Sequence, residues 1–511
     1  MVCGTSSNSG KSTIVAGLCR VLARRGLSVA PFKAQNMALN SAVTASGHEI
    51  GRAQYLQAQA AKVAPSVEMN PVLLKPTSER ESQVVLQGRP YRTMDARQYH
   101  DAKPALLPVV LASLDTLRRC HDAVVLEGAG SPAEINLLDH DIVNLRVAAE
   151  AEIPAVVVGD IDLGGVFAAL HGTVTLLPPD LRRTVKGFVI NKFRGDPALL
   201  RDGLDELEQL CGVPTLGVVP MVPELRLDAE DSVALSAAPP QRPDARLDVA
   251  VVAFPRISNF TDIDPLMWES DVSVRFVRSV RELGRPDLVV LPGSKATVED
   301  LDWMRTRGIA DAVAATDAVV LGICGGYQML GARISDEVES RAGCVRGLGL
   351  LDVFTVFEDD KVLAQCRGEA FGADVCGYQI HHGRVHPDPN GTSQPWLSLT
   401  GGADAPQGAS SAAQTPTNGR QAQGLGVHAL DAHVDGYRNG PVLGTTLHGL
   451  FDSDGFRHEF LAYVADRRGT GFRGEATPFC ERREAELDRL ADCLEEHVAI
   501  DRLLETMGAA Q

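Results

Sequence analysis

Two stretches of this 511-residue chain combine residue types and spacings that can do chemistry. The first, Gly4-Thr5-Ser6-Ser7-Asn8-Ser9-Gly10-Lys11-Ser12-Thr13, stands directly before a helical pattern. Glycines let backbone N–H groups close around phosphate oxygens, and the helix N-terminus adds partial positive charge. Lys11 reaches the β- and γ-phosphates, and the Ser12 hydroxyl suits magnesium. Gly4, Thr5, Asn8, Ser9, Gly10, Lys11, Ser12 and Thr13 are therefore candidate nucleotide ligands. Five residues separate the two glycines, one more than in the usual loop. Lys33 follows a second apolar run and is a candidate cation beside the transferred phosphoryl group, although a solvated surface lysine fits its residues equally well. Glu127, at a strand end before Gly128 and Gly130, suits a Mg²⁺ ligand, because this hard cation favours oxygen. Glu49, Asp160 and Asp162 are weaker candidates for magnesium or water positioning, since acids are common at strand ends and helix caps.

The second stretch is Gly322-Ile323-Cys324-Gly325-Gly326-Tyr327-Gln328, after an apolar run. Gly-x-Cys-x-Gly at a strand-to-helix turn is the cysteine form of the nucleophile elbow, where glycines relieve crowding so that a strained turn can present the side chain. Helix N-terminal amides favour the Cys324 thiolate, and the Gly325 N–H is placed to stabilise an oxyanion. A buried structural cysteine, the plainer reading, would not need glycines on both sides. His448 ends another apolar run and is the base that such a nucleophile requires. Gly293 and Ser294, in the turn Leu291-Pro292-Gly293-Ser294-Lys295, offer a second oxyanion N–H. Gln328 joins them and Gly325 as a candidate oxyanion and glutamine-binding set.

These residues need strands to carry them. Short apolar runs recur at 123–126, 153–158, 185–190, 247–254, 287–291, 317–321 and 442–447, and their length and Val/Ile content suit strands buried on both faces of a parallel sheet. Helical patterns at 12–25, 105–119 and 197–210 lie between several of them, so the expected class is doubly wound α/β. The motifs fall just after strands, where such sheets bind ligands. Prolines interrupt the rhythm at 222–246, which divides the chain into a nucleotide domain at 1–222, a linker at 223–246 and a second domain at 247–511. Residues 387–440, rich in Gly, Ser, Ala, Pro and Gln, read as a flexible insertion carrying no catalytic residue. Residues 482–507 read as an amphipathic helix closing the second domain. Only Met1 to Cys3 precede the phosphate loop, fewer than a full strand, which suggests a clipped start.

With 49 basic and 66 acidic residues, a formal charge of −17, the chain is unsuited to nucleic acid or an anionic membrane surface. It has no signal-peptide pattern and no apolar run near the roughly 20 residues that span a bilayer, so a cytoplasmic protein is expected. The composition neither requires nor forbids a homo-oligomer. The ten cysteines form no CxxC pair, and the adjacent His381 and His382 would point to opposite faces of a strand, so no disulfide framework or zinc site is expected.

Over nearly the whole chain these residues resemble a known family. GTSSNSGKST, PFKAQNMALNS, EIGRAQ, MNPVLLKP, LEGAGSPAEINL, GDIDLGGVFA, INKFRGD, LPGSK, GICGGYQMLG, GYQIHHGR and TTLHGLFD resemble cobyric acid synthase, a glutamine-dependent enzyme of cobalamin biosynthesis. PFKAQNMALNS and MNPVLLKP have no reading in residue chemistry but point to this family. The longer phosphate loop resembles that of dethiobiotin synthetase and its relatives. The resemblance implies an N-terminal P-loop, dethiobiotin-synthetase-like doubly wound domain and a C-terminal class I glutamine amidotransferase domain of flavodoxin-like α/β type.

The activity it implies is amidation of the b, d, e and g carboxylates of adenosylcobyrinic acid a,c-diamide, a corrinoid, to give adenosylcobyric acid. ATP would form an acyl phosphate, and ammonia from glutamine would attack it. By the same resemblance Cys324 is the glutaminase nucleophile and His448 its base, while Lys11 and Ser12 handle ATP and Mg²⁺. Many relatives of this glutaminase fold carry Glu two residues after the histidine. Here that residue is Leu450, so no third triad member is assigned, although Asp452 lies nearby. Gln379 stands where Glu is expected, which leaves an acidic role there open.

The chemistry closes. A carboxylate is inert to ammonia until phosphorylated, and phosphoryl transfer needs chiefly positioning and charge neutralisation. Ammonia would be protonated in water, which implies a sheltered route between the domains. The rivals are a sister ligase such as cobyrinic acid a,c-diamide synthase or a cell-wall amidotransferase, a partitioning-type ATPase scaffold with a degenerate glutaminase, and a corrinoid-binding protein without turnover.

Overall fold

The Val- and Ile-rich runs become parallel strands. In the computed structural model, which describes residues 1–223, 225–228, 242, 244–401, 433–506 and 508, Val29–Phe32, Ala123–Leu126, Val2–Gly4, Ala155–Asp160, Val185–Phe193 and Thr215–Pro220 run side by side in that order. All are parallel, and a Val2–Glu127 bridge joins the first pair to the rest. On one face the helix Lys11–Arg24 buries Ile14, Val15, Leu18, Val21 and Leu22, the stripe that a helix of this period lays on a sheet. On the other, Val166–Leu176 and Arg201–Cys211 bury Leu170, Val174 and Leu207. Helices on both faces make this unit doubly wound, as the alternation of runs implied.

The segments without a chemical reading build a second, smaller sheet. Gln35–Met37 runs parallel to Val72–Pro76, which continues antiparallel into Glu81–Leu86 and Arg89–Asp95. Beside it, Ser41–Val43 pairs with Glu49–Gly51. Lys75 of MNPVLLKP ties the two together, donating to the buried Glu49 carboxylate at 2.6 Å and to Ser41 at 2.9 Å.

The division of the chain differs from the expected one at its C-terminal end. One unit comprises Met1–Ala237 with Ala476–Gln511, and the other Ala238–Glu475. The closing helix therefore belongs to the nucleotide unit and not to residues 247–511 as a block. The physical reason is a matched surface. Leu487, Leu490, Ala491 and Leu494 of Phe479–His497 pack on Lys11–Arg24, and Gly17 makes room: a Cβ there would lie 2.9 Å from Leu490 Cγ and closer still to Leu494. Around this seam the fully buried Arg20 pairs with Glu484 and Asp488, and Arg24 with Asp492 at 2.6 Å. The helix stops where Val498 bridges Gly217, and Ile500–Thr506 follows; Met507 lies outside the described residues. Leu490→Ala should destabilise this unit by about 2–5 kcal/mol through the cavity left behind. Urea unfolding measures it, and a loss below about 1 kcal/mol would contradict the packing described.

In the second unit Val272–Val277, Leu247–Val252, Leu288–Leu291, Val319–Ile323 and Val442–Thr445 are parallel neighbours in that order. From Val442–Thr445 the sheet continues antiparallel through His433–Asn439 and Gln394–Thr400 to the long hairpin Val353–Ala370/Ala373–Pro387. Residues 387–440 are thus not an unstructured insertion throughout, because both flanks are sheet strands whose backbone groups are paired. Residues 402–432 of that stretch lie outside those described, as do 224, 229–241 and 243 of the expected linker. Among the described residues no helix is long and apolar enough to cross a membrane.

Candidate active sites

In the nucleotide unit the loop runs from the end of Val2–Gly4 to Lys11, and its shape is held from several sides. Gly10 has φ 94°, a conformation that suits glycine. Thr5 N–H donates to Val158 O at 2.9 Å, Asn191 Nδ2 to Ser9 O at 3.0 Å, and Lys192 Nζ to Asn8 O at 2.7 Å. Lys11 Nζ crosses the loop to Ser6 O at 2.8 Å and Gly130 O at 3.2 Å. A cavity of about 360 Å³ opens beside it, lined among others by Asn8, Gly10, Ser12, Thr13, Gln57 and Lys192.

Glu127 is the hub of this site. Its Oε1 accepts from Ser12 Oγ at 2.7 Å and Lys33 Nζ at 2.9 Å, and its Oε2 from Gln57 Nε2 at 2.6 Å. The structure thus brings Ser12, Lys33 and Glu127 together, with Lys33 buried as an ion-pair partner of Glu127 and not as a solvated surface lysine. Glu49 instead holds Lys75 and Ser41. Asp160 pairs with Lys192 at 2.6 Å and Asp162 with Arg194 at 3.1 Å. Gln57 had no signal in the sequence, since it is one polar residue on the helix Arg52–Ala60. Lys192 had a weak one, a cation at the end of an apolar run.

In the second unit the chain leaves Val319–Ile323 and turns at Cys324, with φ 50° and ψ −109°, into Gly325–Leu330. A left-handed non-glycine residue costs on the order of 1–3 kcal/mol and persists only where its surroundings impose it. Here Cys324 N–H donates to Thr445 O at 2.8 Å, and Gly326 sits so close to the Leu291 carbonyl that any Cβ would collide with it. Gly293 and Ser294 form the opposite wall. A Cβ on Gly293 would meet His448 Cε1 at 3.1 Å, and one on Gly325 would meet Ser294 N at 2.8 Å. Asp300 pins this turn by accepting from Ser294 Oγ at 2.5 Å; burial pushes its carboxyl up to about 6. Gln328 is buried and donates to Gly383 O at 3.2 Å.

Cys324 is an electrostatic neighbour of His448. The His448 backbone exchanges hydrogen bonds with Tyr378, whose ring stacks on the imidazole at 5.5 Å. The group absent from the sequence reading is Asp262, on the short 3₁₀ helix Phe260–Ile263. Its Oδ2 lies 2.6 Å from His448 Nδ1, and its Oδ1 accepts from Gly449 N–H at 2.9 Å. A carboxylate only accepts, so Nδ1 carries a proton toward Asp262. Burial by itself would lower the imidazole's pKa, but Asp262 and Cys324 outweigh it and raise it to about 10. At neutral pH the ring is therefore an imidazolium held against the Asp262 carboxylate.

No local pattern marked Asp262, which is 186 residues from His448. The expected Glu position, Leu450, is buried apolar core. Gln379 also acquires a reason: its Nε2 donates to Asp435 at 2.9 Å and to Thr446 at 2.8 Å. A Glu there would set two carboxylates against each other.

Comparison with known proteins adds an independent line. The family profile described as "CobQ/CobB/MinD/ParA nucleotide binding domain" matches residues 1–234, and "CobB/CobQ-like glutamine amidotransferase domain" matches 248–456. The chain is 49% identical over 520 residues to a cobyric acid synthase of Rhodococcus jostii (strain RHA1), covering 100% of this chain and 95% of that one. It is 50% identical over 523 residues to a cobyric acid synthase of Nocardia farcinica (strain IFM 10152), covering 100% and 97%. Among solved structures, a glutamine amidotransferase covers 43% of this chain and 99% of its own at 15% identity, with a TM-score of 0.29.

Proposed function

Because the chain belongs to the cobyric acid synthase family, we propose that it amidates the b, d, e and g carboxylates of adenosylcobyrinic acid a,c-diamide to adenosylcobyric acid, using ATP and ammonia from glutamine. The observation that supports this at atomic level is the buried Asp262–His448–Cys324 set. A protein that only bound nucleotide or corrinoid would have no use for a cysteine at a strained turn beside a buried Asp–His pair. The reaction is assigned to the cytoplasm, where ATP and glutamine are supplied.

In the glutaminase half-reaction the Cys324 thiolate attacks the carboxamide carbon, and N–H groups of Gly325 and the 293–294 turn face the developing oxyanion. The His448 imidazolium gives its proton to the departing ammonia, leaving a thioester. His448 then takes a proton from the water that releases glutamate. In the synthetase half-reaction the terminal phosphoryl group of ATP passes to a corrinoid carboxylate, ADP departs, and ammonia displaces phosphate from the acyl phosphate. Lys11 and Lys192 bring positive charge to the phosphate cavity. Ser12 Oγ and Glu127 Oε1, 2.7 Å apart, form an oxygen pair that fits Mg²⁺, and the ion would neutralise phosphate charge when bound.

Asp262 acts as a positioning residue. Asp262→Asn should lower glutamine-dependent kcat about 10²–10⁴-fold by releasing the imidazole from its tautomer and orientation. Ammonia-supported amidation should hold within about twofold. The alkaline limb of the glutaminase profile, expected near pH 10 where His448 loses its proton, should move to lower pH in this variant. An unmoved limb would contradict the role. The sign for stability follows. A histidine raised from 6.5 to about 10 contributes fully below pH 6.5, and its contribution is lost as pH rises through about 10.

The whole reading is tested by mass spectrometry of adenosylcobyrinic acid a,c-diamide incubated with protein, ATP, Mg²⁺ and glutamine. Stepwise loss of about one mass unit per amide is expected, as replacing OH by NH₂ requires. Unchanged substrate with ATP and glutamine consumed would reject the corrinoid and keep the ligase.

A further inference from the structure

The nucleotide cavity has one wall that the phosphate loop does not supply. Beyond Thr215–Pro220, Leu225, Leu227 and Asp228 line the same cavity of about 360 Å³ as Ser12 and Lys192. Leu225 and Leu227 are partly buried and pack against the core that Lys11–Arg24 covers. A surface connection with so little buried area is held chiefly by its polar ties. Arg489 Nη2 donates to Pro223 O at 2.8 Å, and Arg226 N–H donates to Glu486 Oε2 at 3.1 Å. Asp228 Oδ2 accepts from Arg52 Nε at 2.7 Å and lies 3.7 Å from Arg483 Nη1. Arg483, Glu486 and Arg489 follow one another at three-residue spacing on the closing helix Phe479–His497, where such neighbours make a row.

Asp228 is the most strongly held point of this segment. Its side chain is only 5% exposed. Burial by itself would raise its pKa, but Arg52 and Arg483 outweigh burial and hold the carboxyl below its ordinary value. Removing one member of a buried, hydrogen-bonded ion pair leaves the other charge without compensation, so this contact resists opening. Arg52, from the segment EIGRAQ, also begins the short helix Arg52–Ala60, and Gln57 of that helix donates to Glu127 at 2.6 Å. Asp228 is thus joined through one short helix to the carboxylate at the hub of the phosphate site.

We infer that residues 225–228 are a strap that retains the nucleotide, with Asp228 as its positioning residue: the Arg52–Asp228–Arg483 contact holds Leu225 and Leu227 against the nucleotide cavity, and the closing helix thereby sets how fast ADP leaves. The strap rests on the nucleotide-binding reading above and adds to it what governs product release. Asp228 acts through the wall that it holds and not on the transferred phosphoryl group, so its loss should appear in retention and not in the chemical step.

The test measures release of N-methylanthraniloyl-ADP from the full-length protein by stopped flow, with excess ADP as the chase. Initial rates of ammonia-dependent amidation at varied ATP accompany it. Asp228→Asn should speed release about 10-fold and raise KM for ATP by a similar factor, while kcat at saturating ATP stays within about threefold of wild type. Asp228→Glu keeps the carboxylate and should recover most of the retention. Arg489→Met provides a second, remote variant, because Arg489 is half-exposed and meets the strap through the Pro223 carbonyl. It should speed release about threefold or more in the same direction. Unchanged release in Asp228→Asn, or a loss confined to kcat, would overturn the inference, as would Asp228→Glu behaving no better than Asp228→Asn. Unchanged release in Arg489→Met would overturn the part given to the closing helix. The release measurement needs no corrinoid, so it stands apart from the identity of the acyl acceptor. Wild type that binds no ADP analogue would overturn the nucleotide reading instead.

Discussion

Cys324→Ala is expected to lower glutamine-dependent amidation by about 10⁴–10⁶-fold while ammonia-dependent amidation stays within about twofold of wild type. The size follows from how the thiol is used. A carboxamide does not yield ammonia at neutral pH without a covalent step, and residues that act as one nucleophilic unit fail together when one is lost. The selectivity follows from the chain's division, since Cys324, His448 and Asp262 all lie in Ala238–Glu475, whereas the phosphate loop lies in the other unit. Alanine at 324 removes the sulfur and keeps the turn, because the φ of 50° is imposed by Thr445 and by the close approach of Gly326 to Leu291. Amide formation would be followed by mass with each nitrogen source, and thioester formation by rapid quench. Residual glutamine-dependent turnover above about 1% would mean another nucleophile, and loss of the ammonia reaction would mean that the substitution unfolds the protein.

The second large effect is expected at the opposite half-reaction. Lys11→Met should cut amidation about 10²–10³-fold with either nitrogen source, the loss typical when one preorganised cationic group is withdrawn from developing charge. Methionine preserves the length of a side chain that is largely buried, so the change is chiefly one of charge. Glutamine hydrolysis measured without ATP should remain within about threefold of wild type. Initial rates of ADP formation with ammonia as the nitrogen source would check this. Retention of wild-type rates would show that Lys192 and Lys33 suffice and that Lys11 only shapes the loop, as its contacts to Ser6 and Gly130 allow.

Both predictions concern residues that the sequence exposes by local pattern. The phosphate loop and the elbow are legible because their chemistry requires glycine at fixed offsets from one reactive side chain, all within about ten residues of chain. His448 was legible for a related reason, as a histidine at the end of an apolar strand. The partners of these residues were not. Gln57 and Lys33 reach Glu127 from separate elements, and Asp262 reaches His448 across 186 residues. An aspartate in a run such as Asn259-Phe260-Thr261-Asp262 has no local mark that separates it from a helix cap. The closing helix shows the same limit at domain scale. Its apolar spacing announced a helix with one buried face, but nothing in that face names the surface it meets, and chain order suggested the wrong unit.

What the sequence by itself determined, then, is the α/β class, together with two candidate sites and the residues proposed to bear charge or nucleophilicity there, because periodicity, glycine placement and side-chain chemistry are properties of neighbouring residues. Only the tertiary structure decided which carboxylate contacts His448, which donors surround Glu127, where residues 476–511 belong and why Gln379 is an amide. Those are matters of distance and burial between residues remote in the chain, and at such range the energy of a charge depends on what folding packs against it.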